Sequence, residues 1–131
     1  MERLRAVPGY EGLYEVSDLG RVRSLDRVRM TIRWGKLSPH RIHGRIMKQM
    51  FHPYSGYLCV GTRGPNGDKS KDYIMVHRAV LEAFVGPAEG RWGLHWTDNF
   101  LDNHLENLRW GSPSENAFDR ERNKRERSQD G

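Results

Sequence analysis

The stretch from residue 91 to residue 116 constrains the fold most, because it contains signals for three consecutive elements. RWGLHW can form a short strand, TDNFLDNH is predicted to be a polar loop, and LENLRWG can form a second strand. In the following SPSEN, Ser112 is a candidate N-cap, Pro113 fits the first helical position, and Glu115 completes a capping box. The sequence therefore predicts the order strand, loop, strand, helix.

The chain before this unit alternates between apolar and polar residues in short pieces that indicate β-structure. We expect two strands around the turn SDLG at 17–20, and further strands within 45–51, 56–62 and 72–76. Residues 33–44 are predicted to be a loop, because Gly, Ser and Pro interrupt every period there. The cluster GPNGDKS is predicted to be a turn between the last two strands. A small antiparallel sheet is the expected result.

One segment, MVHRAVLEAFVGP, changes to helical periodicity. Its apolar positions at helical spacing are Val76, Val80, Ala83 and Phe84. Gly-Pro ends the run, as helix C-termini often do. His77 lies off this stripe, so we expect a surface or packing histidine rather than a metal ligand. Residues 121–131 are charged on every side and are expected to fray, or to extend a helix against a partner.

Charge and cysteine content narrow the class of protein. The 131 residues include 22 Lys and Arg against 17 Asp and Glu, and the formal charge of +5 favours a polyanionic partner. Nucleic acid is the leading partner class, and an ordinary basic protein is the alternative. The single cysteine, Cys59, excludes an intrachain disulfide and a cysteine-based zinc site. Since no apolar run resembles a signal peptide or a membrane span, we expect an intracellular, reducing compartment.

A basic stripe follows the N-terminal strands. Arg21 and Arg23 share one strand face because side chains alternate with a period of two, and Arg27 and Arg29 continue the stripe. Guanidinium groups on an extended ribbon suit phosphate oxygens, which they can contact through two parallel hydrogen bonds. These four arginines are therefore candidate DNA-binding residues. A solvated strand face is the alternative interpretation for each of them.

Polar side chains can converge at the start of the predicted C-terminal helix. Asn116 falls in its first turn, and His95 ends the strand that can pack against it. A helix N-terminus favours a phosphate through its dipole and its free N–H groups. A neutral imidazole can accept a proton from water, and a carboxamide oxygen is a hard ligand that suits Mg²⁺. The combination predicts a metal-dependent phosphodiesterase, and a turn-rich unit with a structural histidine is the alternative.

The same residues resemble a known nuclease motif. VHRAVLEAFVG, LHW, DNHLENLRWGS and SEN are similar to HNH, or ββα-metal, endonucleases of the homing-endonuclease branch that is common in phages and mobile introns. In this resemblance His95 matches the catalytic His, Asn107 the central Asn, and Asn116 the final, metal-binding position. The N-terminal VPGYEGLYEVSDLGRVRSL is similar to the modular DNA-binding motif that precedes HNH domains in that branch.

The resemblance implies a fold and a domain organisation. The implied fold class is α+β, with a small antiparallel N-terminal sheet followed by a ββα-metal (His-Me finger) HNH motif. The DNA-binding motif would span 1–32 and the nuclease domain 45–120, with its ββα core at about 91–120. Residues 121–131 would form a charged tail.

The resemblance also implies an activity, the metal-dependent hydrolysis of phosphodiester bonds in duplex DNA by nicking or cutting. His95 would activate water, Asn107 would hold the histidine-bearing loop, and Asn116 would bind one divalent metal ion, Mg²⁺ or alternatively Mn²⁺. Arg109 joins the candidate DNA-binding residues. The expected partner is double-stranded DNA, bound by a monomer with no membrane and no small-molecule cofactor, in the cytoplasm of a bacterium or a phage-infected host.

The sequence departs from the family pattern beside the catalytic His. Many relatives have a metal-binding Asp or His directly before it, where this chain has Leu94, and others have an Asp where this chain has Thr97. The second metal ligand is therefore left open between Asp98, the candidate, and a water molecule. Asn103 and His104 are further polar candidates, and Asn103 is expected to stabilise the loop. Leu94 motivates an alternative function, a catalytically weak or inactive DNA-binding protein on the HNH fold. Trp96, as an aromatic for base stacking, motivates a weaker RNA alternative.

Overall fold

Short antiparallel strands and two α-helices form the part of the chain that the structure describes, residues 1–63 and 71–129 of a computed structural model. The strands are β1 (Leu4–Ala6), β2 (Tyr14–Ser17), β3 (Val22–Ser24), β4 (Arg27–Arg33), β5 (Lys36–Ile42), β6 (Met50–Phe51), β7 (Leu58–Arg63), β8 (Lys71–Met75), β9 (Trp92–His95) and β10 (Leu108–Gly111). The helices are α1 (Val76–Phe84) and α2 (Pro113–Gln129), and a 3-10 turn spans Leu105–Asn107. Within these ranges no helix is long and apolar enough to cross a membrane. The predicted α+β class is confirmed.

The N-terminal sheet has the order β1-β2-β3, and its β2–β3 hairpin confirms the two strands predicted around SDLG. The Ser17 hydroxyl accepts hydrogen bonds from the N–H groups of Leu19 and Arg21, at 3.2 and 3.0 Å. Gly20 has φ of +87°, a left-handed conformation that costs glycine little. Val16 pairs with Val22 across the hairpin, and both side chains are fully buried. The turn is therefore set by its polar residues and the strands by their burial.

Strands β4 and β5 form a long two-stranded hairpin, so the loop predicted for residues 33–44 is wrong. Its two-residue turn consists of Trp34 and Gly35, with φ of 56° and 75°. Positive φ at both positions produces a turn whose twist matches the flanking strands. Pro39 is tolerated because its pair, with Met30, is a non-hydrogen-bonded one when counted from the turn. The sequence signal failed because Trp is uncommon in the left-handed region.

The third sheet has the order β6-β7-β8, and β7 and β8 confirm two of the predicted strands with shifted ends. The strand predicted for 45–51 is largely wrong, since only Met50–Phe51 forms a strand there and Ile46 forms an isolated β-bridge with Arg23. Arg45 and Met47 instead form backbone hydrogen bonds of 2.8 Å with Ser24 and Val22 of β3. The apolar and polar residues of 45–51 therefore alternate because this segment lies alongside β3 of the N-terminal sheet. The turn predicted for GPNGDKS lies outside the described residues.

Helix α1 lies at the centre of the hydrophobic core. It contacts β2, β7, β8 and β10, which belong to all three of the sheets that surround it. Its buried apolar side chains are Val76, Ala79, Val80 and Leu81. Each fully buried aliphatic side chain of this size contributes about 1.5–3 kcal/mol. The indole Nε1 of Trp110 donates a 2.9 Å hydrogen bond to the Gly86 carbonyl and so joins β10 to the end of α1. The predicted helix is confirmed.

Strands β9 and β10 and helix α2 confirm the unit predicted from residues 91–116. The two strands pair antiparallel, with His95 opposite Leu108. Helix α2 begins with the predicted capping box, since Glu115 N–H donates to Ser112 Oγ at 3.2 Å and Ser112 N–H donates to Glu115 Oε1 at 3.3 Å. The helix continues through Gln129. Most of the charged tail therefore extends α2.

Candidate active site

His95 is the last residue of β9 and lies almost entirely inside the protein, with 5% of its surface exposed. The Tyr57 ring is nearly parallel to its imidazole, with the ring centres 6.0 Å apart. The His77 ring centre lies 5.3 Å from that of His95 and 4.8 Å from that of Tyr57. The three rings form one cluster. We call it the ring cluster, and its contacts fix the plane of the His95 imidazole.

One hydrogen bond determines which nitrogen of His95 can act as a base. The imidazole Nε2 lies 2.8 Å from the Asn103 side-chain oxygen. A carboxamide oxygen can only accept, so this contact requires the proton of the neutral imidazole to be on Nε2. Nδ1 then carries the free lone pair. The geometry therefore prepares Nδ1 of His95 to accept a proton.

The surroundings keep both buried histidines of the ring cluster uncharged. Burial lowers the pKa of His95, and the hydrogen bond to Asn103 and the nearby carboxylates of Asp102 and Asp98 raise it in partial compensation. Burial also lowers the pKa of His77, to about 3. His95 is thus in its proton-accepting form at neutral pH. His77 is a packing residue, which agrees with one of the two roles expected for it.

Asn103 connects His95 to the N-terminal sheet. It is buried, and its backbone lies against Gly20 of the SDLG turn. A Cβ atom added to Gly20 would lie 2.8 Å from the Asn103 backbone oxygen, closer than real Cβ contacts allow. The Leu105 N–H also donates a 2.8 Å hydrogen bond to the Asp18 carbonyl of the same turn. The turn between β2 and β3 therefore forms the wall that holds the residue bonded to His95.

Asn107 holds both ends of the loop between β9 and β10. Its side-chain oxygen accepts a 3.1 Å hydrogen bond from the Thr97 N–H, and its amide group donates to the Asp102 carbonyl at 3.0 Å. Its backbone carbonyl accepts a 2.9 Å hydrogen bond from the Trp96 N–H. These contacts fit the loop-holding role that the family resemblance implies for Asn107. They place it beside His95 in the fold without a direct bond to the ring in the described residues.

The candidate metal ligands lie on and beside the first turns of α2. Asn116 is half-buried in the first turn, and within the described residues its side chain has no hydrogen-bond partner. Asp98 has φ of 63° and forms an ion pair of 3.7 Å with Arg120, which lies one helical turn beyond Asn116. Leu94 is buried and packs against Gly111, where an added Cβ would lie 2.6 Å from its Cδ1. Leu94 is therefore a core residue.

This donor set fits a hard divalent cation better than a soft one. In the described residues no cluster of three or more His, Cys, Asp or Glu side chains can hold a metal ion. The oxygen atoms of Asn116 and Asp98 provide few ligands, and all of them are hard. Mg²⁺ commonly keeps several waters and takes one or two protein ligands together with substrate phosphates. The residues present therefore suit Mg²⁺ that is completed by DNA.

Arg109 belongs to a network that fixes α2 on the strands. Its guanidinium contacts the buried Asp119 carboxylate at 2.7 and 2.8 Å and the Glu115 carboxylate at 3.1 Å. It also lies 3.8 Å from the centre of the Trp96 ring. The Asn123 amide donates to the Trp96 carbonyl at 3.0 Å. These contacts explain how a helix of low hydrophobicity stays attached, and the suggestion that Arg109 contacts DNA stays a prediction.

The four arginines of the predicted basic stripe have two different environments. Arg21 forms an ion pair with Glu2, and Arg23 forms one with Glu15 across the β2–β3 hairpin. Arg27 and Arg29 lie on β4, and neither has an acidic partner within residues 1–63 and 71–129. The positive charge of the second pair is therefore available to an external anion, whereas that of the first pair is partly neutralised.

Two parts of this site escaped sequence reasoning. Asn103 was expected only to stabilise its loop, and its bond to His95 depends on a fold of the loop that no local pattern reveals. Tyr57 lies far along the chain and reaches His95 only through the third sheet. An Asn eight residues after the candidate catalytic His95 is a signal that can find the first of these. No pattern in this single sequence identifies the second.

The fold and this site can be compared with a known class of protein. Two antiparallel strands and a capped helix hold a buried, hydrogen-bonded histidine, and the structure as a whole is similar to that of an HNH endonuclease. The predicted resemblance to the HNH homing endonucleases is confirmed.

Comparisons with known proteins identify one sequence motif and one similar structure. Residues 2–63 match the NUMOD4 motif, which extends beyond the DNA-binding motif predicted for 1–32. The structure is similar to that of the HNH homing endonuclease I-HmuI, which was solved in a study of its DNA binding and cleavage, with a TM-score of 0.62 and 30% sequence identity. The match covers 88% of this chain and 55% of that chain, so this chain spans about half the length of I-HmuI. No curated protein matches the chain. The chain thus carries a NUMOD4 motif and has a structure similar to that of an HNH homing endonuclease.

Proposed function

We propose that this protein is a metal-dependent endonuclease that hydrolyses phosphodiester bonds of duplex DNA. The observation that carries the proposal is the 2.8 Å contact between His95 Nε2 and Asn103, which leaves Nδ1 as a neutral base at the end of a strand that contacts α2. The similarity to an HNH homing endonuclease supports the choice of DNA as substrate. We also propose that the protein is a monomer and acts inside the cell.

In the proposed reaction, Nδ1 of His95 accepts a proton from the water that attacks the phosphorus in line with the leaving 3′ oxygen. Asn103 keeps the ring in the required tautomer, and the ring cluster keeps its plane fixed. Asn107 holds the loop on which this geometry depends. The dipole of α2 favours a phosphate at its N-terminus. The products would carry 3′-hydroxyl and 5′-phosphate ends.

Asn116 would bind the divalent metal ion, and Asp98 would be its second protein ligand after release from Arg120. When bound, Mg²⁺ or Mn²⁺ stabilises the negative charge that develops on the leaving oxygen. The unpartnered carboxamide of Asn116 and the ion pair of Asp98 with Arg120, one helical turn beyond Asn116, support this assignment. Arg27 and Arg29 would contact phosphates, because no carboxylate of the described chain neutralises them.

The experiment is the conversion of supercoiled plasmid by the wild type and by His95→Ala, each with Mg²⁺, with Mn²⁺ and with EDTA. The proposal expects nicked or linear product that requires the metal ion. Loss of the base should reduce the rate by about 10²- to 10⁴-fold without loss of DNA binding. His104→Ala is the matched control, because His104 lies on the same loop but is exposed and bonded to Asp102. Equal cleavage by both variants would exclude His95 as the base.

A catalytically weak or inactive DNA-binding protein is the second candidate function. Leu94 supports it, because it takes the place of a metal ligand in many relatives and is packed in the core. This candidate predicts salt-sensitive binding of duplex DNA with no product in any metal ion. The RNA alternative loses its main support, since Trp96 is stacked with Arg109, and competition between duplex DNA and RNA tests it.

A further inference from the structure

The β4–β5 hairpin has two unlike faces, and neither is covered by the described protein. Cross-strand pairing places five cationic or imidazole side chains on one face, Arg27, Arg29, Arg33, Lys36 and His40. The other face consists mainly of apolar side chains, Val28, Met30, Ile32, Leu37 and Pro39. Most of these apolar side chains are exposed, and Ile32 has 74% of its surface exposed. Such a ribbon has no core of its own and is built to meet another molecule.

The tip of the hairpin is occupied by Trp34, which is 99% exposed. Its φ of 56° lies in the left-handed region, where Asn or Gly would be favoured over a large aromatic residue. The indole therefore lies in a strained position and gains no described contact within the protein. Ile32 and Leu37 flank it on the apolar face. The end of the ribbon thus presents a hydrophobic wedge between two strands that carry positive charge.

The charge of the hairpin identifies what covers it. Residues 27–42 contain five Lys and Arg residues and no Asp or Glu. If a second copy packed on this ribbon, the Lys and Arg residues of the two hairpins would repel each other. Arg41, which lies on the apolar face, would also be buried without an acidic partner. A duplex offers phosphates to the cationic side chains and base steps to the apolar tip. DNA is therefore the occupant that satisfies both features.

We propose that the β4–β5 hairpin is an arm that enters a groove of duplex DNA and that Trp34 stacks against a base step at its tip. This inference rests on the proposed DNA binding and is independent of catalysis. Apolar side chains inserted between base steps unstack them and bend the duplex, and aromatic side chains stack on any base. The arm would therefore add affinity and local distortion with little sequence readout. Phosphate contacts alone do not explain an exposed tryptophan at the tip, whereas stacking on a base step does.

The experiment measures tryptophan emission and affinity during titration with a mixed-sequence DNA duplex. All proteins carry His95→Ala, so that the DNA stays intact. The emission of Trp34 is obtained as the difference between this protein and its Trp34→Phe form. Trp34→Asn is the main variant, because Asn adopts the left-handed conformation readily and preserves the turn. Tyr54→Asn is the matched control, since Tyr54 is 95% exposed and lies outside the hairpin.

The inference expects DNA to quench the Trp34 emission, and Trp34→Asn to weaken binding by roughly tenfold. Trp34→Phe should keep part of the affinity, and Tyr54→Asn should keep all of it. Equal affinity of Trp34→Asn and the parent, with no quenching of Trp34, would overturn the inference. A concentration-dependent dimer that Trp34→Asn abolishes would also overturn it, in favour of a second copy. Quenching by DNA, together with a wild type that cleaves no plasmid in any metal ion, would leave the arm standing and reject only the nuclease.

Discussion

The ring cluster around His95 and the β4–β5 hairpin are built in opposite ways. In the first, two buried and uncharged imidazole rings pack against the half-buried Tyr57 ring, and each nitrogen of His95 has a defined state. In the second, cationic and apolar side chains are exposed without described partners. The difference matches the two tasks that we propose for these regions. A base must be held in one geometry before the substrate arrives, whereas a surface for DNA gains its contacts only on binding.

Among the substitutions that test this comparison, Asn103→Ala is expected to have the largest effect. Loss of the hydrogen bond to Nε2 frees the tautomer and orientation of His95, and it should reduce cleavage by about 10- to 100-fold, as when partners that orient metal-site histidines are removed. DNA binding should be unchanged. Single-turnover nicking and binding on the same samples measure both. Asn99→Ala is the control on the same loop, since the Asn99 side-chain oxygen accepts a local hydrogen bond from the Leu101 N–H. Equal rates for the two variants would refute the role of Asn103.

The contact between the N-terminal turn and the loop predicts the next effect. Gly20→Ala should lower the free energy of unfolding by about 1–3 kcal/mol through backbone strain, and its Cβ should also displace Asn103 and slow cleavage. Gly12→Ala is a matched control, because Gly12 also has positive φ but an added Cβ would meet no atom within 4 Å. Urea denaturation measures the loss of stability, and nicking rates measure the effect on cleavage. A Gly20→Ala protein that cleaves as fast as Gly12→Ala would break the proposed link.

The buried state of His77 predicts a pH dependence of stability. The pKa of His77 is about 3 in the folded protein, while the unfolded chain takes up a proton near pH 6.5. The free energy of unfolding should therefore fall as the pH decreases from 6.5 towards 3, by about 1.4 kcal/mol per pH unit for this group. Urea denaturation of the wild type and of His77→Phe over this range measures the difference. Identical slopes would show that His77 is not buried as a neutral group.

The smallest expected effect concerns the salt dependence of DNA binding. Arg27→Ala and Arg29→Ala should each reduce the slope of log affinity against log salt by about one, because each removes an available phosphate contact. Arg23→Ala should reduce it less, since its charge is already engaged by Glu15. Binding at several salt concentrations tests this. If Arg23→Ala changed the slope most, the cationic surface available to DNA would not be the β4–β5 hairpin.

The two regions also differ in how far the sequence predicted them. The capping box of Ser112 and Glu115 is a local pattern with a local cause, so the unit that holds His95 followed from the sequence. The bond between Asn103 and His95 depends on a loop held by Gly20 and Asp18, which are distant in sequence.

The hairpin was missed for a different reason. Its turn contains Trp34 in a conformation that propensity assigns to Asn or Gly, and its strands bury no side chain that would create a clear alternation. Ser38 and Pro39 then suggested a loop. Residues that break local rules in this way are often found where a protein meets its ligand. The sequence signal was weakest at the point that we now assign to DNA.

The most direct test of the account is the protonation of the His95 ring, measured by two-dimensional ¹⁵N NMR of the imidazole nitrogens near neutral pH. The account predicts a neutral ring with the proton on Nε2 and a free lone pair on Nδ1, and a loss of this single form in Asn103→Ala. A ring that carries its proton on Nδ1, or a charged ring, would contradict it, because His95 would then have no base facing the phosphate.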